Sequence, residues 1–272
     1  MGSKILGFWS SFSTLFRYPR FSPAEKMVGA PQISGLFTSD HTGAHHSATH
    51  TWKNTLTDPR TFDCFVGKVE HCKLTASGSK HHEFLRFTIL SPDSAFTATV
   101  IAHRAGAANI NSKSDKSKII SNSHSSHDVN YPADDIVAAC TMGTTAEDNM
   151  MKNLKPFKVV RKIEYPPSIT RPSARHICTL LESTSTSALF YTLYENQCYW
   201  FAKIVTDALA ELFPGATVTE SAGPPTLGTH FEIPINTSNN LQEVIKIYKE
   251  KWCAVGKERE EVQRAQEEVR SS

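Results

Sequence analysis

Leu193-Tyr194-Glu195-Asn196-Gln197-Cys198-Tyr199-Trp200-Phe201-Ala202 sets a lone thiol where a loop or helix end turns into a strongly patterned helix. Phe201, Ile204, Val205, Ala208, Leu209 and Leu212 follow at helical spacing, which predicts Cys198 in the first turn. The N–H groups at a helix start lack intrahelical partners and carry partial positive charge, so they favour a thiolate over a thiol. A cysteine there has its pKa drawn below the free value of about 8.5. With a histidine opposite, the chain would hold the parts of a thiol nucleophile. Pro214-Gly215 ends the helix sharply.

Upstream, the pattern becomes strand-like. Residues 62–69, 81–90 and 96–102 read as three strands, the second with clean alternation and a Ser91-Pro92-Asp93 turn after it. Together they predict an antiparallel meander. Residues 157–165 supply a fourth strand, stopped by Pro166-Pro167, and 230–235 a short one. Residues 134–140 read as a short helix capped by Asp134, and 173–182 as a longer helix. Leu241, Ile245, Tyr248, Trp252 and Val255 mark a further amphipathic helix, with a solvated, charged extension beyond Gly256. The fold class expected is α+β: a small antiparallel sheet with helices packed on one face.

Three segments divide the chain: 1–58 as leader and connector, 59–235 as the α+β domain, and 236–272 as a charged C-terminal helix. The domain carries a low-complexity polar insertion near 105–130. Residues 21–58, with His41, His45, His46 and His50, read as a mobile connector. Residues 4–20 place their apolar side chains on one helical face flanked by Lys4, Arg17 and Arg20. That run is too short and broken to span a bilayer, and it lacks the continuous core of a signal peptide. It suits a helix lying on a membrane surface, or a segment packed on the domain, or a disordered leader.

Lys plus Arg total 29 against 27 Asp plus Glu, so no global field draws the chain to nucleic acid. The six cysteines are scattered without a CxxC pair, which argues against a disulfide framework or a zinc site and for reduced thiols inside a cell. Cys72 beside His71 fits no standard zinc spacing. The expected chemistry needs no metal or other cofactor.

A thiol nucleophile needs a base that takes its proton. Side chains alternate along a strand, so His81 shares a face with Glu83, Leu85, Phe87 and Ile89, while His82 shares one with Phe84, Arg86, Thr88 and Leu90. The first set turns apolar and should meet the helices. His81 is therefore the expected base and His82 the fallback. Glu83, His103 or a backbone carbonyl could orient the imidazole, and Gln197 could join the helix-start amides around an oxyanion.

A strand-initial His followed by a sheet and then Tyr-x-x-x-Gln-Cys-x-x-Phe resembles the circularly permuted papain-like thiol enzymes, the superfamily of lecithin–retinol acyltransferase relatives and NlpC-type peptidases. The Gln-Cys-Tyr-Trp-Phe-Ala wording, with His-x-Glu-Phe at 81–84, looks closest to proteins of mushroom-forming fungi. The resemblance covers roughly residues 60–215. It implies a permuted papain-like fold, Cys198 as nucleophile and His81 as base. The function expected is a cysteine-dependent hydrolase or acyltransferase with a small-molecule, peptide or lipid acyl substrate. A membrane-lying 4–20 helix would favour lipid. The alternatives are a non-catalytic binding or scaffold member of the fold, or an accessory protein of fungal specialised metabolism.

Overall fold

The computed structural model describes residues 32–38, 43–75, 82–106, 131–191, 198–222, 229–230, 233–234 and 240–271. In chain order the elements are β1 (His45–Ala48), α1 (Thr49–Thr55), β2 (Phe65–Leu74), β3 (Glu83–Leu90), β4 (Thr97–Gly106) and β5 (Tyr131–Thr141). They continue with α2 (Thr145–Met151), β6 (Phe157–Glu164), α3 (Ala174–Ser187), β7 (Phe190–Tyr191), α4 (Cys198–Leu212) and β8 (Thr217–Glu220). A two-stranded ribbon, β9 (Thr229–His230) and β10 (Ile233–Pro234), precedes α5 (Leu241–Ser271). The antiparallel sheet runs β1-β5-β4-β3-β2-β6-β8, and β7 pairs with the start of β5. The fold is α+β.

Alternation fixes which face each side chain takes. Register pairs Val69 with Phe87, Phe87 with Val100 and Val100 with Ala139, so these lie on one face. That face joins Ile177, Leu180 and Leu181 of α3, Ile204, Val205 and Leu209 of α4, and Val244 and Tyr248 of α5 in one core. The opposite face holds a smaller cluster of Cys72, Phe84, Ile101 and Met151, so α2 and the turn after it cover the second side. Ser173 caps α3: its hydroxyl accepts from the His176 amide while His176 Nδ1 accepts from the Ser173 amide.

Two expectations are corrected. Residues 134–140 belong to β5, not to a helix. Asp135, Val137, Ala139 and Thr141 turn to the main core while Ala138 and Cys140 are buried on the other side. A strand covered on both faces reads as a continuous apolar run, and periodicity cannot separate that from a short helix. Residues 33–37 and 45–56 are not a mobile connector. Ile33, Leu36, Trp52 and Leu56 are fully buried in the main core, and Trp52 Nε1 donates to the Gly35 carbonyl at 3.0 Å. Gly35 has φ 78°, and a Cβ there would meet Thr55 Oγ1 at 2.5 Å, so the close approach of this strap to α1 requires glycine.

The leader at 4–20 and most of the polar insertion lie outside the described residues. Among the described residues no helix is long and apolar enough to cross a membrane. α5 continues as one helix past Gly256 to Ser271.

Candidate active site

Cys198 is helical and is the first described residue of α4; the residues before it, 192–197, lie outside the described residues. This part of α4 is anchored from two sides. Trp200 Nε1 donates to Asn240 Oδ1 at 3.0 Å, and the Trp200 and Phe201 rings lie 4.8 and 5.6 Å from the Arg104 guanidinium carbon. Arg104 in turn forks onto Asp135 through two 2.7 Å bonds and donates to the Ala188 carbonyl at 2.8 Å. The guanidinium plane therefore joins the sheet to α4 beside Cys198, with planar bidentate geometry that lysine cannot copy.

Beside Cys198 the apolar face of the sheet turns polar. Register places Lys73 opposite Glu83, and His71 opposite Leu85, so His71, Lys73 and Glu83 all point to the helical layer. None of them reaches water beyond a 2% side-chain exposure. His71 Nε2 lies 2.5 Å from Glu83 Oε2, and Lys73 Nζ lies 3.2 Å from Oε1. The second contact is an ion pair rather than an aligned hydrogen bond. His71 Nδ1 is buried with no hydrogen-bond partner among the described residues. Burying three such groups costs several kcal/mol per ion unless they compensate one another.

Cys198 itself is 4% exposed. Burial pushes its thiol up to about 12 and is the largest influence on it. The Glu83 carboxylate pushes the same way. Against both, the backbone at Glu83, Tyr199 and Cys198 pulls the thiol back toward the thiolate. Residue 83 thus acts on the sulfur and holds His71 with its carboxylate. With burial dominant, the thiol is protonated at neutral pH.

Glu83 lies on the face assigned to it, and the imidazole it holds is that of His71. His81 and Gln197 lie outside the described residues. The fallback base and one orienting candidate are corrected. The His82 and His103 rings meet edge to face with centroids 5.1 Å apart, on the side of the sheet that carries Phe84 and Ile101. A full sheet separates them from Cys198, so neither serves it. Burial pushes the His82 ring down to about 4, with His103 adding to the effect.

His71 and Lys73 were the residues that sequence reasoning passed over. The signal was present as parity: both continue the inward row of Val69 toward the strand end. A bulge between Val66 and Lys68 obscures that row when β2 is read alone.

Comparison with known proteins finds no match: no family model, no curated protein and no solved structure.

Proposed function

We propose that the chain is a cysteine-dependent hydrolase or acyltransferase acting on an amide or ester carbonyl, with Cys198 as nucleophile, His71 as general base and Glu83 as the group that orients the imidazole. One observation carries this reading. A His–carboxylate pair sealed from water leaves one imidazole nitrogen unpartnered among the described residues, and the residue supplying the carboxylate also acts on the buried thiol of Cys198 in α4. A core needs no such arrangement, and clusters of buried ionisable groups beside a thiol are where reactive chemistry is built.

Because the thiol is protonated at rest, the reaction is of the general-base kind. The Cys198 sulfur forms a bond to the carbonyl carbon as its proton passes to His71 Nδ1. The carbonyl π pair moves onto oxygen. As the tetrahedral intermediate collapses, the bond to the leaving nitrogen or oxygen breaks and His71 returns the proton to it. Water then attacks the thioester, giving the acid and the free thiol, or an acceptor amine takes the acyl group. Glu83 stabilises the imidazolium formed in each step.

The order of parts along the chain, histidine strand, carboxylate strand, then cysteine helix, accords with the permuted papain-like resemblance. That the six cysteines are free, five of them buried, accords with a reducing interior. A small-molecule, peptide or lipid acyl substrate fits this chemistry equally.

A second reading rests on the 4% exposure of Cys198 and its raised pKa. It makes the chain a non-catalytic binding or scaffold member of the same fold. Labelling with a small electrophilic thiol probe across pH separates the two. The enzyme reading expects Cys198 to label selectively over Cys64, Cys72, Cys140 and Cys178, and to lose that reactivity in His71→Gln. Labelling of Cys198 as slow as that of Cys178, and indifferent to His71→Gln, would leave only the scaffold.

A further inference from the structure

A cysteine–histidine–carboxylate set has no chemical need of an ammonium, yet Lys73 is sealed in with it. Its side chain is 2% exposed, its Nζ lies 3.2 Å from Glu83 Oε1, and 5.8 Å separates that nitrogen from the centre of the Tyr199 ring. Packing alone would be met by methionine or leucine at far lower desolvation cost. Lys73 therefore has to be explained by what its charge does.

Two effects follow from its position. Glu83 has two carboxylate oxygens and divides them, Oε1 to Lys73 and Oε2 to His71. With Oε1 held electrostatically, the carboxylate keeps Oε2 on His71 Nε2. That nitrogen then carries the hydrogen, and the lone pair stays on Nδ1. The second effect is charge. Glu83 lies close enough to the sulfur for its carboxylate to oppose the thiolate. In a dry site that opposition is strong, and an ammonium on the far oxygen offsets it.

We propose that Lys73 is a positioning residue for the Cys198 thiol, acting through Glu83: it fixes which carboxylate oxygen faces His71 and cancels the charge that Glu83 would present to the sulfur. This deepens the thiol-enzyme reading and rests on it.

The test is the pH profile of iodoacetamide labelling at Cys198, followed by mass spectrometry on the full chain in a Cys253→Ser background. Lys73→Met is expected to slow labelling by about tenfold or more and to move the profile to higher pH, since a thiol whose pKa rises by about one loses roughly nine-tenths of its thiolate. Lys73→Arg, which keeps the charge, recovers part of the rate. In a Glu83→Gln background, Lys73→Met adds little, because the charge it opposed is gone.

An equal loss with and without Glu83 overturns the proposal, as does a Lys73→Met profile identical to wild type. Should Lys73→Met fail to fold because it strands a buried carboxylate, the double variant carries neither charge. A further loss of about tenfold in that double variant relative to Glu83→Gln overturns the proposal as well. Failure of the parent reading is separate: Cys198 labelling is then indifferent to His71→Gln in every background.

Discussion

His71 Nε2 and Glu83 Oε2 stand 2.5 Å apart with neither side chain touching solvent, and Lys73 closes the group from the other carboxylate oxygen. Glu83 offers one carboxylate oxygen to each of the other two groups. Glu83→Ala is therefore expected to cost about 3–5 kcal/mol, because it removes the one carboxylate that both His71 and Lys73 face in a dry site. Replacing all three at once, as His71→Leu, Lys73→Met and Glu83→Met, should recover most of that loss, since well-packed apolar groups carry no desolvation cost. Urea unfolding of wild type and both variants measures this. A Glu83→Ala loss under about 1 kcal/mol would mean that water already reaches the cluster.

Arg104 and Asp135 make the second sealed pair, and they brace the turn that presents Cys198. Asp135→Asn keeps the shape but leaves the guanidinium short of a counter-charge. A loss of about 3 kcal/mol is expected, which in a chain of this size lowers Tm by roughly 6–12 °C. Calorimetry at neutral pH reads it directly, and an unchanged Tm would refute the bracing role.

Acid should weaken the fold through its buried imidazoles. Burial pushes His82 and His176 down to about 4 from an ordinary 6.5; His103 assists at the first and Arg259 at the second. Each ring is neutral inside and gains its proton on unfolding. Between 6.5 and about 4 the unfolded chain binds the extra proton, so stability falls as pH drops through 6.5, and the loss is complete below about 4. Each ring contributes up to about 3 kcal/mol to that fall. Urea midpoints collected across the window should show it, and His82→Phe should flatten the acid limb. An acid limb as steep in His82→Phe as in wild type would place the sensitivity elsewhere.

The remaining thiols should sort by burial. Cys64, Cys72, Cys140 and Cys178 are buried, and burial pushes each up to about 12, whereas Cys253 is exposed on α5. Native-state alkylation is expected to reach Cys253 readily and these four only after urea unfolds the chain. Rapid native labelling of Cys178, in the heart of α3, would show that the helical layer opens without global unfolding.

Local pattern in the chain was enough to determine several elements. The period of Phe201, Ile204, Val205, Ala208 and Leu209 required an amphipathic helix, and Cys198 lies in it. Alternation through Glu83, Leu85, Phe87 and Ile89 required a strand with those four on one face, and they are all buried. Such signals are legible because helix and strand periods are properties of neighbouring residues. Sequence did not reveal β5, because a strand covered on both sides loses its alternation. Nor did it reveal the packing of residues 33–37 and 45–56, whose few apolar residues acquire meaning only against the core they seal.

The candidate site divides the same way. Cys198 and Glu83 announce themselves in their own elements, one by its place in a patterned helix and the other by its parity in a strand. Which histidine Glu83 holds was decided by the pairing of β2 with β3. That register brings His71 and Lys73 to Glu83, and it leaves His82 and His103 on the far side of the sheet. Only the tertiary structure could decide this, because a cross-strand neighbour is set by how two distant segments align, and no spacing within either segment records that alignment.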